Sequence, residues 1–275
     1  MELNWLQSLF YGLISGLAEF LPISADAHRA LFLKLTGTEE GAAIKLAVHL
    51  GCLLALIFAC HPALSRMRRE RRLAATPPKR RKRQPDRRSI LDIRVLNFAM
   101  IPMLLCFLLY SRVAVLYQRL WITSLFMIVN GLLLYVPQFF PGSTKDSQSL
   151  SPLDSVVIGL GGGIGSIPGL SRMGAVNAVA QVRGTEKRYA LELSLLLSIP
   201  ALLALLILDG IAVAGAVPAL AVLSIISWIL AGAAAFGGAW LAIFILRFLV
   251  FNAGFSGFSY YCWGFALLTF FLYLI

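Results

Sequence analysis

The chain has 275 residues, 59% of them hydrophobic and 13% charged, with a mean hydropathy of +0.81. A soluble core cannot hide that much apolar surface, so the composition excludes a water-soluble globular domain and points to an integral membrane protein. The net charge of +11 is concentrated: residues 66–88 hold twelve Lys/Arg against Glu70 and Asp86.

A short loop this basic is expected to stay in the cytoplasm and to orient the chain. Anionic lipids at the loop are its expected partner. Nucleic acid is the other reading of such a run, but a loop tethered between two spans needs no such partner. The first residues show neither a basic leader nor a small-residue cleavage site, so they are expected to remain in place. Cys52, Cys60, Cys106 and Cys262 are scattered through apolar segments without metal spacing, and read as packing residues.

In chain order, residues 12–33 are apolar enough for a membrane yet carry Glu19, Asp26, His28 and Arg29. Charge at membrane depth costs about 2.5–3.5 kcal/mol per residue and usually faces a protein interior or a water-filled cavity. Pro22 breaks an ordinary helix here, which predicts two half-helices meeting at a turn. A plain first span with snorkelling charges is the blander reading. Residues 41–60 form a span interrupted by Lys45 and His49. The basic segment follows, and its Pro77-Pro78 and dense charge predict disorder. Further spans are expected at 90–111 and 120–144, then a polar loop at 145–152.

Residues 155–182 repeat the oddity of the opening: a glycine-rich run, then Pro168-Gly169, Ser171 and the lone charge Arg172. The stretch is too broken for a stable span and too apolar for a surface loop, so a re-entrant hairpin fits. A glycine-packed helix contact leaves Arg172 unexplained. A span at 193–208 follows. The uncharged run 210–246 exceeds one crossing at about 20 residues, so its first residues, around 215–218, read as loop, and 248–275 makes the last span.

The expected fold is therefore an all-α membrane protein in one domain, 1–275. It consists of an inverted repeat of one re-entrant helical hairpin and three spans: six full spans and two hairpins. The first half is 1–144, with its hairpin at 8–36 and the basic cytoplasmic loop at 62–89; the second is 145–275, with its hairpin at 155–183. Such plans place a site where the broken helices converge. There the two hairpins would supply Glu19, Ser24, Asp26, His28, Ser171 and Arg172, with freed N–H groups around Gly169. A guanidinium and glycine-turn amides make a phosphate cradle. His28 suits a nucleophile or general acid, and Glu19 could orient it or hold a divalent cation.

The segments G-L-A-E-F-L-P-I-S-A-D-A-H (16–28) and P-G-L-S-R-M-G-A (168–175) resemble the two signature motifs of the undecaprenyl-diphosphate phosphatase family, the bacitracin-resistance type. A-L-E-L-S-L-L-L-S-I-P (190–200) and H-L-G-C-L-L-A (49–55) resemble the segments that follow them. The resemblance implies removal of the terminal phosphate of undecaprenyl diphosphate, recycling the lipid carrier of cell-wall synthesis. It further implies a bacterial inner-membrane location, a site opening to the outer side and a divalent cation, Mg²⁺ or Ca²⁺. A homodimer is a possible assembly.

Carried over, Glu19 matches the second glutamate of an E-x-x-x-E motif, and His28 the motif's histidine. Ser171 and Arg172 match the S-R of the second motif, with Pro22, Ser24, Pro168 and Gly169 as framework. The expected catalytic residues are thus His28 and Glu19, joined by Asp26, a departure from the motif whose carboxylate could position a metal, a water or His28 in place of the lost groups. Phosphate would be bound by Arg172, Ser171, Gly169 and Ser24, and a metal by Glu19 and Asp26. Several positions depart from the motifs: Ser15 for the first glutamate, Ala25 for a second serine, Asp26-Ala27 for Thr-Gly, and Gly162, Met173 and Val176 for polar residues. These departures admit a second reading, a non-catalytic relative that binds or flips a polyprenyl phosphate lipid. A third, an unrelated small-molecule transporter, would make the motif match accidental.

Overall fold

The computed structural model describes residues 3–113, 120–140, 144–215, 222–252 and 255–274. Among them all regular structure is helical, apart from two isolated bridges. Several helix boundaries follow from local signals. Helix α1 (Trp5–Phe20) opens on a capping box in which Asn4 and Gln7 satisfy each other's backbone N–H groups. It stops where Leu21, the residue before Pro22, turns extended. Helix α2 (Ala25–Thr36) is capped by Ser24 and carries Asp26 in its first turn and Lys34 in its last. Gly37, left-handed at φ 62°, ends it.

Helix α3 (Ala42–Ala75) runs 34 residues and corrects the expectation for the basic segment. Residues 66–75 are helical rather than disordered, because arginine is a good helix former. The helix stops at Thr76, ahead of Pro77-Pro78. The segment then returns over a short 3₁₀ turn, Pro78–Arg80, and is clasped by buried Glu70. That carboxylate accepts from Arg83 and from the Asp86 N–H at 3.0 Å. Asp86 in turn accepts from the Ser89 hydroxyl and the N–H groups of Arg88 and Ser89, at the start of α4 (Arg87–Val113). The Ser89 hydroxyl and these N–H groups hold the Asp86 carboxyl below the usual carboxylate range, against a smaller opposing effect of burial.

Helix α5 (Leu120–Tyr135) is shorter than its expected span, since Pro137 turns the chain into a 3₁₀ segment, Val136–Phe139. Helix α6 (Pro152–Ile164) starts on a Ser151/Asp154 capping box, and α7 (Arg172–Val182) is capped by Ser171. Helices α8 (Lys187–Gly215), α9 (Val222–Asn252) and α10 (Gly257–Leu274) follow. The loop expected around 215–218 falls largely on residues outside those described. Among the described residues six helical segments are long and apolar enough to cross a membrane, matching the count read from the sequence. Large apolar side chains such as Phe244, Ile229 and Ile207 face outward, as a lipid surroundings requires.

Small residues let the short helices pack at backbone distance. Gly12 and Gly16 of α1 lie against the Ala231 and Ala235 backbone of α9. Gly159 of α6 lies against the Ala99 backbone of α4, and Gly163 against Met103 and Cys106. In lipid such close approach replaces hydrophobic burial as the packing force. Gly12→Leu and Gly159→Leu should each lower stability by at least about 2 kcal/mol, because backbone cannot yield to a side chain. Gly237→Ala, whose added methyl group meets nothing within 4 Å, should unfold like the parent. Thermal unfolding in detergent checks this, and equal melting of all four proteins would refute the close packing.

Candidate functional site

Both helix breaks need partners for their freed backbone groups, and side chains that cross between the breaks supply them. At the first, Ser24 has φ 65°, the only positive φ of a non-glycine residue among those described. Its Oγ accepts from the Ala27 N–H at 3.4 Å and, across the molecule, from the Gly169 N–H at 3.1 Å. At the second break, Gly169 has φ 94°, and a Cβ there would lie 2.5 Å from the Thr123 carbonyl oxygen. Asn130 of α5, fully buried, joins the two. Its Nδ2 donates to the Pro22 carbonyl at 2.9 Å and its Oδ1 accepts from the Ser171 N–H at 2.9 Å.

Beside this clasp lies a cavity of about 260 Å³ formed by α1, α2, α3, α7, α8 and the turn after α6. Arg172 enters it at the start of α7 and donates from Nη2 to Glu19 Oε1 at 2.6 Å; both side chains are about nine-tenths buried. The Nε–H of Arg172 is buried without a partner among the described residues. A second ionic line crosses the cavity wall. Arg29 donates to Asp26 at 2.5 Å and to His49 Nε2 at 3.2 Å. Since a guanidinium only donates, His49 Nε2 accepts and its Nδ1–H donates to Asp209 Oδ2, at 2.5 Å. His49 is fully buried, and Lys45 also lines the space. The Lys45 ammonium makes no hydrogen bond or ion pair among the described residues.

The structure thus brings Glu19, Asp26, Ser171 and Arg172 together at one cavity. Ser24 and Gly169 do not line it; their polar groups are spent on each other. His28 is also placed elsewhere. Its Nδ1–H donates to the Ser24 carbonyl at 2.8 Å, leaving Nε2 to accept from the Tyr261 hydroxyl at 2.7 Å, and its ring stacks on Phe265. On the helix that begins at Ser24, Asp26 and Arg29 share the cavity face and His28 falls off it.

Three cavity residues escaped sequence reasoning. Lys45 and His49 were visible only as interruptions of a span. Asp209 carried the better signal, being the sole charge between Glu192 and Arg247. Ser15, where the resemblance implies a glutamate, is fully buried, with its hydroxyl unpaired among the described residues.

A polytopic helical membrane protein with a charged cavity where two broken helix pairs meet is the class these observations define. The family described as "Bacitracin resistance protein BacA" matches residues 8–268, and the chain belongs to that family. Among its relatives, the undecaprenyl-diphosphatase of Methanobrevibacter smithii is 30% identical over 273 residues, covering 96% of each chain. That of Roseobacter denitrificans is 30% identical over 258 residues, 90% of this chain and 91% of its own. That of Nocardioides sp. is 31% identical over 205 residues, 73% and 72%. These comparisons do not support the non-catalytic alternative.

Asn130→Leu should strand the Pro22 carbonyl and the Ser171 N–H in the interior, at about 1–3 kcal/mol for each group. A melting temperature in detergent equal to the parent's would show that Asn130 does not hold the breaks together.

Proposed function

We propose that the chain hydrolyses the terminal phosphoanhydride of a polyprenyl diphosphate in the membrane, releasing inorganic phosphate and leaving the lipid monophosphate. The observation that carries this reading is Arg172, set at a helix N-terminus in the lining of the charged cavity, with a buried Nε–H that has no partner among the described residues. Guanidinium forks match phosphate oxygens bidentately, and the start of α7 adds positive potential. The family and the relatives' names supply the substrate class.

In this proposal Arg172, Arg29 and Lys45 take the diphosphate oxygens. Once a phosphate oxygen engages Arg29, His49 Nε2 is freed to accept a proton from the attacking water. The water oxygen bonds to the terminal phosphorus, the bridging P–O bond breaks, and its electrons leave on the lipid phosphate. Asp209, already bonded to Nδ1–H, stabilises the imidazolium. His28, the other candidate for proton transfer, lies on the far face of α2 against Tyr261.

The donor set also suits the divalent cation. Mg²⁺ is commonly bound by one or two carboxylates, with waters and substrate phosphates completing the shell. Glu19 and Asp26 line the same cavity, each with one oxygen engaged by arginine. They would hold the ion, which when bound neutralises charge on the transferred phosphoryl group.

The same proposal takes α1–α5 and α6–α10 as inverted copies, with α1/α2 and α6/α7 as re-entrant hairpins. Gly12, Gly16 and the cap Ser24 recur at unchanged spacing as Gly159, Gly163 and the cap Ser171. The packing is likewise exchanged, α1 and α3 on α9 against α6 and α8 on α4. The basic segment is proposed to face the cytoplasm of a bacterial inner membrane, with the cavity near the outer side.

Phosphate release from undecaprenyl diphosphate by purified protein with Mg²⁺ tests the reading. Arg172→Lys, which keeps charge but loses the fork, should lower kcat/KM about 10²–10³-fold. His49→Gln should lower kcat about 10²–10⁴-fold, whereas His28→Gln should stay within about tenfold of the parent. Loss confined to His28→Gln would move the proton transfer to that histidine. No release from folded parent protein would sink the phosphatase reading.

A further inference from the structure

A second cavity, of about 540 Å³, lies between α3, α8 and α9. Three arginines from three helices reach it: Arg66, Arg188 and Arg247, with Glu192 the one carboxylate in its lining. Its walls are otherwise apolar, with Leu191 and Leu195 of α8 facing Ala59 and Ala63 of α3. Arg247 donates to the Ala59 carbonyl at 2.7 Å and meets no carboxylate among the described residues. The ion pairs of Arg66, to Asp92 at 3.7 Å and Glu192 at 3.6 Å, are looser than hydrogen bonds.

The position of this cavity is as informative as its lining. The first cavity meets α3 at Lys45 and His49 and α8 at Leu205–Asp209; the second meets α3 at Ala59–Arg66 and α8 at Arg188–Leu195. At 1.5 Å per residue the two lie about 20–25 Å apart along the same pair of helices, close to the thickness of a hydrocarbon core. They therefore lie toward opposite ends of this helix pair, the second at the end that carries the basic segment, to which Arg66 belongs.

We infer that the second cavity binds the phosphate head of an anionic lipid, its hydrocarbon lying on the apolar wall. Guanidinium groups outnumber carboxylates there, their geometry suits phosphate oxygens, and the apolar walls suit an acyl or prenyl chain. This site is separate from the proposed catalytic cavity and stands whether or not that cavity hydrolyses its substrate.

The test is native mass spectrometry of the full chain in detergent, titrated with phosphatidic acid, with a neutral diacylglycerol of the same chains, and with inorganic phosphate. Phosphatidic acid should bind, diacylglycerol should not, and a tenfold excess of inorganic phosphate should displace little of it. Arg247→Gln with Arg188→Gln should weaken binding at least tenfold; Arg66→Gln, which breaks no close hydrogen bond, should weaken it several-fold and guards against misfolding. Substituting Lys79, Arg80 and Arg81 by Gln should leave it within about twofold. Binding lost with those three residues but kept in the cavity variants would overturn the site and give the lipid to the basic segment. Displacement by equimolar inorganic phosphate would overturn the lipid in favour of free phosphate.

Discussion

The structure depends on how two interrupted helices satisfy their backbone in the protein interior. A freed N–H or C=O there costs several kcal/mol if left unpaired. Ser24 and Asn130 answer that cost by crossing between the breaks, so neither break is complete alone. The geometry is bought with strain: a serine at φ 65° costs of order 1–3 kcal/mol. Donors from Ala27 and Gly169 fix it there. Gly169 repeats the logic, since its φ and the Thr123 carbonyl both forbid a side chain.

Because the breaks are joined, the charges they carry are placed. Arg172 follows Ser171, whose N–H Asn130 holds, and Glu19 sits in the last turn before the first break. Their ion pair is about nine-tenths buried, a setting where losing one partner costs about 3–5 kcal/mol. The line Asp26–Arg29–His49–Asp209 then ties α2 through α3 to α8. The cavity walls thus come from both halves of the chain, and helix packing and site geometry become one problem.

The number and type of the long helices was legible because hydropathy and length decide it, and Glu19 and Arg172 stood out as charges in apolar runs broken by proline and glycine. What stayed hidden were properties of packing. His49 and Asp209 lie 160 residues apart, and only the antiparallel contact of α3 with α8 joins them. His28 drew attention through its motif, yet the face it occupies depends on where α2 begins, and Ser24 at an unusual φ sets that start. The basic segment looked disordered by composition, whereas one buried carboxylate, Glu70, gathers Arg83 and the Asp86 backbone into a fixed return.

Charge in the first cavity ties the altered motifs to the proposed chemistry. Its lining holds Glu19, Asp26 and Asp209 against Arg29, Lys45 and Arg172, so with neutral His49 the formal charges balance. Ser15 contributes none, but Asp26 stands where the motif has threonine, and Asp209 joins from α8. An incoming diphosphate adds negative charge to a balanced, partly buried space, where Coulombic terms are large. Two species can offset it: a divalent cation at Glu19 and Asp26, and a proton on His49, which Asp209 is placed to stabilise. Under the proposed function, the carboxylates that weaken the cavity as a bare anion site are those that make cation binding and proton uptake favourable when the phosphate arrives.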